Sequence, residues 1–172
     1  MTEISPQALE DLSQRYHKLL ASQQTLILST ASVTGVPDVS YAPFVRGNDG
    51  VFYIFVSEMA CHTANLLNNP LASILFIRQE AESRNLFARE RAVLNCRVKE
   101  TFRDDAGYTE RLQDLQDKFG EVVGVLRSLS DFHLLALHPE SGRYVMGFGR
   151  AFSVNVNDGS LFKHLLPEKW VC

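Results

Sequence analysis

Residues 25–56, TLILSTASVTGVPDVSYAPFVRGNDGVFYIFV, decide the fold. Residues 25–32 are a strand-like run closed by the turn signal Thr34-Gly35. Asp38–Val45 reads as the returning strand. Its side chains alternate across the pleat, which puts Val39 and Tyr41 on one face. Asn48-Asp49-Gly50 is a second turn signal, and Val51–Val56 completes three strands in succession. Strands joined by turns this short can only run antiparallel, so the stretch is a β-meander.

Before the meander, Ser5-Pro6 reads as an N-cap and first helical position. Leu9, Leu12, Tyr16, Leu19 and Leu20 then recur at helical spacing, which predicts an amphipathic helix over about 6–22. After it, Ala60–Asn68 reads as a short helix stopped by Asn69-Pro70, and Ala72–Ile77 as a buried strand. Further strands are predicted at Phe87–Val98, Phe132–Leu137 and Tyr144–Phe152, with a turn at Pro139–Gly142. Helix is expected within Asp104–Leu126, where Gly120 and Gly124 suggest two pieces. Strand–helix alternation is lacking, which argues against a doubly wound sheet. The expected fold is α+β, mainly β: a small barrel with peripheral helices. It is read as a single domain, with the barrel over about 25–156 and a C-terminal tail over 157–172.

The 172 residues are 45% hydrophobic and 22% charged, a balance that excludes a disordered chain. Seventeen Lys and Arg against 20 Asp and Glu give a net charge of -3, so a general binder of nucleic-acid backbones is not expected. Cys61, Cys96 and Cys172 form no C-x-x-C pair, which removes the usual zinc and redox motifs. Met1–Gln7 is polar, and no apolar run approaches the ~20 residues needed to span a bilayer. A cytoplasmic protein with no membrane partner is expected.

Gly147-Phe148-Gly149-Arg150 holds a G-x-G, but inside a strand pattern, so a backbone bend is the preferred reading over a dinucleotide fingerprint. Arg84, Arg89, Arg91 and Arg97 form a basic stretch, and guanidinium groups suit phosphate or carboxylate. Ion pairing with Glu82, Glu90 or Glu100 is an equally good account of them. The five histidines are scattered without metal-ligand spacing. His62 sits where a strand end meets a helix start, a common place for anions. Asp131 lies at a helix-to-strand junction, where Asp usually serves the turn but can also orient a histidine.

Taken as a set, Val39-Ser40-Tyr41-Ala42-Pro43-Phe44, Asn69-Pro70, Leu86-Phe87-Ala88-Arg89-Glu90-Arg91, Lys118-Phe119-Gly120-Glu121, Asp131-Phe132 and Gly147-Phe148-Gly149-Arg150-Ala151-Phe152 resemble the HutZ/HugZ type of bacterial haem-utilisation protein. That group is a branch of the flavin-binding split barrels typified by pyridoxamine 5′-phosphate oxidase. The resemblance spans about Gln23–His164. It implies a six-stranded split β-barrel, a homodimer and ligand sites at the dimer interface.

In the haem branch the resemblance places His62, Arg91 and Asp131 at the haem site. Asp131 there orients the iron-binding histidine of the partner subunit, and Arg91, with Arg89 beside it, contacts haem. That branch takes its iron ligand from the C-terminal tail. The aligned position here is Lys169 or Trp170, and His164 matches another family histidine a few residues earlier. His164 is therefore the expected metal ligand, with Cys172 a remoter alternative. In the flavin branch, Ser40, Tyr41 and Ala42 would line the FMN ring, with His62 and Thr63 near its phosphate. An Arg-Lys pair that binds this phosphate is replaced here by Cys61-His62. The implied function is haem binding and oxidative haem breakdown in iron acquisition, drawing on an external electron donor. The alternatives are an FMN-dependent oxidoreductase and a non-catalytic haem carrier.

Overall fold

The structure, a computed structural model, describes residues 5–165. The elements run α1 (Pro6–Ala21), β1 (Thr25–Ala31), β2 (Pro37–Arg46), β3 (Phe52–Ser57), α2 (Cys61–Asn68), β4 (Leu71–Ile77), β5 (Arg91–Thr101), α3 (Tyr108–Phe119), α4 (Glu121–Arg127), β6 (Phe132–Gly147), β7 (Arg150–Val154) and β8 (Leu161–Leu165). Hydrogen bonding follows the order β3-β2-β1-β4-β5-β6-β7-β8, and β3 also pairs with β6. The first six strands in that order therefore close into an antiparallel barrel. Strands β7 and β8 extend from the far half of β6.

Alternation along each strand builds the core. Leu26 and Leu28, Ala42 and Phe44, Phe52, Ile54 and Val56, Ile74 and Phe76, Leu94 and Cys96, and Leu135 and Leu137 all point inward. Phe44, Phe52 and Phe76 meet in tilted and edge-to-face contacts with ring centres 5.4–5.7 Å apart. A second, smaller core lies outside the barrel. There Leu112, Leu115 and Val123 of α3 and α4 cover Val45 and Leu134.

The barrel has two unlike ends. One collects the C-termini of β1, β3 and β5 with the N-termini of β2, β4 and β6, and α2 lies there because it joins β3 to β4. The other end is closed by α1. The Ser5 hydroxyl caps α1 by accepting from Ala8 N–H, as the sequence predicts. Leu12, Tyr16, Leu19 and Leu20 of α1 join the barrel core. Ser13 Oγ accepts from Leu161 N–H at 3.0 Å and ties β8 to the same helix.

Four sequence expectations are corrected. The stretch read as strand from Phe87 begins as a 3₁₀ turn, Leu86–Ala88, and β5 starts only at Arg91. The turn expected at Pro139–Gly142 is the middle of one continuous strand. Asn95 pairs with Ser141 and Cys96 with Pro139, so Glu140 is an extra residue in a β-bulge that bends β6. Gly142 belongs to that bend, since a Cβ there would meet Leu94 Cδ2 at 2.6 Å. The strand predicted over Tyr144–Phe152 is two strands, with Phe148-Gly149 as the turn and Gly149 at φ +63°. The segment read as tail contributes β8.

Candidate functional site

The split in the barrel lies along β2. Only Phe44, Val45 and Arg46 of that strand pair with β3. Residues 37–43 pair with β1 on one side and leave their other edge open beside the β3–α2 turn. Ser40, Tyr41 and Ala42 fall on this edge. Alternation separates them: Ala42 points into the barrel core, whereas Tyr41 faces outward and is 68% exposed. Ser40 Oγ is buried and has no hydrogen-bond partner among the described residues.

Across the seam, the β3–α2 turn is held by bonds that converge on Ser57. Its hydroxyl donates to Asp131 Oδ2 at 2.8 Å and accepts from Met59 N–H at 3.1 Å. Its carbonyl accepts from the Thr63 hydroxyl at 2.6 Å. Asp131 also accepts from Glu58 N–H through its own carbonyl, at 2.8 Å. Thr63 is fully buried and holds the turn, so its hydroxyl faces no ligand. His62 is half-buried. Burial pushes its pKa below the usual 6.5, and Asp38 opposes this without reversing it. The imidazole is therefore neutral at pH 7.

Arg89, Arg91 and His164 lie at the opposite, α1 end. Arg89 donates to the carbonyl of Arg78 and pairs with Glu80 at 3.1 Å. Arg91 continues β5, donates to the Arg89 carbonyl and meets no carboxylate at ion-pair distance among the described residues. Glu90, between them, points inward and is 5% exposed. It accepts from Arg78 Nε at 2.8 Å and from the Tyr144 hydroxyl, and Arg15 of α1 lies 3.6 Å away. Sequence reasoning missed this plug. Its signal was the even parity of Glu90 with Ala92 and Leu94.

His164 on β8 pairs in register with Phe152. It lines a cavity of about 420 Å³ between α1 and the sheet, with Leu12, Met146, Arg150 and Phe152. Its Nε2 lies 2.7 Å from the carbonyl of Gly149. A carbonyl can only accept, so Nε2 carries a hydrogen, and Nδ1 is the nitrogen left to offer a lone pair to a metal. Lys169, Trp170 and Cys172 lie outside the described residues.

The expected site residues are thus not gathered in one cleft. Ser40, His62 and Asp131 belong to the α2 end, and Arg89, Arg91 and His164 to the α1 end. Asp131 adjoins the first residue of β6, while His164 is joined through Phe152 to Tyr144, near its last. Within one chain these two residues cannot meet.

The two groups under consideration place different demands on the seam. An FMN phosphate needs cations, yet the turn from Ser57 to Thr63 carries one carboxylate, a neutral imidazole and no Lys or Arg. The residues present do not fit that end of FMN. A flat, largely apolar macrocycle asks for apolar walls and a neutral imidazole. At the seam, exposed Val39, Tyr41 and Met59 together with His62 meet that demand.

Comparison with known proteins gives the following matches. The family description "Pyridoxamine 5′-phosphate oxidase" matches residues 12–146. Over 143 residues the chain is 38% identical to heme oxygenase HutZ of Vibrio cholerae, covering 83% of this chain and 81% of that protein. The crystal structure of HutZ, described there as a heme storage protein, superposes with a TM-score of 0.72 at 33% identity, over 77% of this chain and 93% of that one. Campylobacter jejuni ChuZ superposes with a TM-score of 0.79 at 25% identity, over 94% of this chain and 67% of that one.

Proposed function

The chain belongs to the pyridoxamine 5′-phosphate oxidase family of split barrels, and from that premise we propose that it binds haem between two copies of itself and breaks it down oxidatively. The observation that carries this reading is the character of the β3–α2 turn. It offers no cation for a flavin phosphate and borders an apolar seam, in a chain 38% identical to a heme oxygenase.

Haem, when bound, supplies the iron centre at which dioxygen reacts once an external donor provides electrons. The rest falls to the chain. His164 presents a lone pair on Nδ1, with its ring held by the Gly149 carbonyl, and is the assigned iron ligand. Asp131 of one subunit would take over from the Gly149 carbonyl as acceptor of the Nε2 hydrogen of the other subunit's imidazole, since one subunit cannot bring the two residues together. Arg91 is available for a haem carboxylate. The second copy is expected against the outward face of β1 and β2, where Ile27, Val39 and Tyr41 are exposed side by side.

Anaerobic titration with haemin and, separately, with FMN tests the reading. A saturable haem absorption band supports it. A flavin spectrum shifted by the protein, with no haemin complex, overturns it in favour of the flavin alternative. Adding ascorbate and air then separates breakdown from carriage. A decaying haem band means breakdown, whereas a band that persists makes the protein a carrier, the role that the word "storage" suggests for the related structure. A Tyr41→Lys chain that still sediments as a dimer removes β2 from the interface.

A further inference from the structure

The last inward positions of three neighbouring strands meet at the α2 end. Glu58 follows β3 on the parity of Ile54 and Val56, and Glu100 continues Cys96 and Val98 on β5. His133 precedes Leu135 and Leu137 on β6. Its ring lies between the two carboxylates, with Nδ1 2.6 Å from Glu100 Oε1 and Nε2 2.8 Å from Glu58 Oε1. A carboxylate only accepts, so both contacts are hydrogen bonds only when both ring nitrogens carry hydrogen. The geometry therefore requires the imidazolium.

Glu58 and Glu100 are the charged groups that face His133 from the β3–α2 turn and from β5. Asp131, two residues earlier on β6, is turned to Ser57 instead. The hydrogen bond to Glu100 is the largest influence on the His133 pKa, burial opposes it and Glu58 reinforces it. The net direction is upward from 6.5. Glu58 is the neighbour of Ser57, whose hydroxyl holds Asp131, and its own N–H donates to the Asp131 carbonyl.

We propose that His133, bridging Glu58 and Glu100, is a positioning residue that clamps the β3–α2 turn to β6 and so fixes Asp131 and His62. The role in haem chemistry rests on the function proposed above; the clamp itself does not. When His133 loses its proton, one carboxylate faces a lone pair. Glu58 is 60% exposed and Glu100 23%, so Glu58 is the one that swings away to water. The turn then keeps only its Ser57 and backbone bonds.

Amide hydrogen exchange on the full chain without haem, from pH 6 to 9, tests the clamp independently of any ligand. In the unmodified chain, protection of Glu58 and Met59, corrected for intrinsic exchange, falls as pH rises through the His133 pKa. In Glu58→Gln, whose amide oxygen still accepts from Nε2 but carries no charge, and in His133→Gln it is lowered severalfold at pH 6 and is flat with pH. Glu58 lies at the surface, so its variant folds even if the histidine variant does not. Protection in Glu58→Gln equal to the unmodified chain's at every pH overturns the clamp. Altered protection with haemin affinity, breakdown rate and pH profile all unchanged overturns the positioning role. If the unmodified chain binds no haemin, the proposed function fails, and exchange alone decides the clamp.

Discussion

The two ends of the barrel treat charge in opposite ways. At the α1 end, Glu90 is deeply buried and met by Arg78, Arg15 and Tyr144, so its charge is compensated on the spot while the two guanidinium groups still reach solvent. At the α2 end the strands separate. Asp131 and Thr63 are held there through one turn, His133 is shared by two partly exposed carboxylates, and Ser40 Oγ has no partner among the described residues. The first arrangement is what stability asks of a buried carboxylate. The second leaves a polar group ready for something outside the chain. A fold can thus be anchored at one end and kept open at the other.

Removing Glu90 should break the comparison most severely. Glu90→Ala leaves the buried Tyr144 hydroxyl without its acceptor and is expected to cost about 1–3 kcal/mol in urea unfolding. A loss below about 1 kcal/mol would mean that apolar packing alone seals the α1 end. Burial, the largest single influence on Glu90, pushes its pKa up, but Tyr144, Arg78 and Arg15 together outweigh it and leave the value below 4.5. Its contribution is therefore present above 4.5 and is lost as pH falls through the lower folded value. Acid unfolding of the unmodified chain should show that loss, and Glu90→Gln should not.

His164→Ala is next in size. It should weaken haemin binding by more than the roughly 10–100-fold that loss of an orienting partner costs, with little change in the unfolding midpoint. Unchanged binding would remove His164 as the iron ligand. Asp131→Asn should slow breakdown more than it weakens binding. An amide oxygen still accepts from Ser57, so the turn survives while the charge is lost. If breakdown is equal in the two forms, Asp131 serves the turn alone.

How much of this was legible in the sequence also differs between the ends. The meander over residues 25–56 was readable because alternation and turn residues agree there. The short helix was readable because Asn69-Pro70 stops it. A small barrel was legible from the many short strands and the lack of strand–helix alternation, whereas its six-stranded split form came from resemblance to a family. Local patterning says that β3 is a strand, but not that it closes onto β6 some 80 residues on. Glu90 was hidden because it sits between Arg89 and Arg91 and looks like part of a solvated charged run. Its burial is set by strand register, which a charge pattern does not show. The bulge at Glu140 concealed β6 in the same way, since Pro139 and Gly142 are turn residues by composition. The clamp at His133 was out of reach, because Glu58 and Glu100 are brought to it by strands distant in sequence.

The clamp predicts a smaller effect of definite sign. His133 has a raised pKa, so its contribution is complete below 6.5 and fades as pH rises through the higher folded value. The unmodified chain should exceed His133→Gln in stability by about 1 kcal/mol near pH 6, with the gap closing on the alkaline side. A gap that widens with pH would contradict a charged histidine at this position.

The smallest effect is expected at Ser40, and it tests the open end most directly. A buried hydroxyl without a partner forfeits its hydrogen bonds to water and gains none in return. Ser40→Ala removes that cost, so the unligated chain should be unchanged or stabilised by up to about 1 kcal/mol. By the same argument, a hydroxyl that serves a ligand must be missed when the ligand binds. Haemin affinity should then fall in a variant that is no less stable. If stability drops instead, Ser40 already has a partner in the unligated protein and the two ends are less different than their geometry indicates. If stability holds and affinity holds too, the vacancy at Ser40 is a feature of packing, and the ligand contacts of the seam come from Tyr41 and His62.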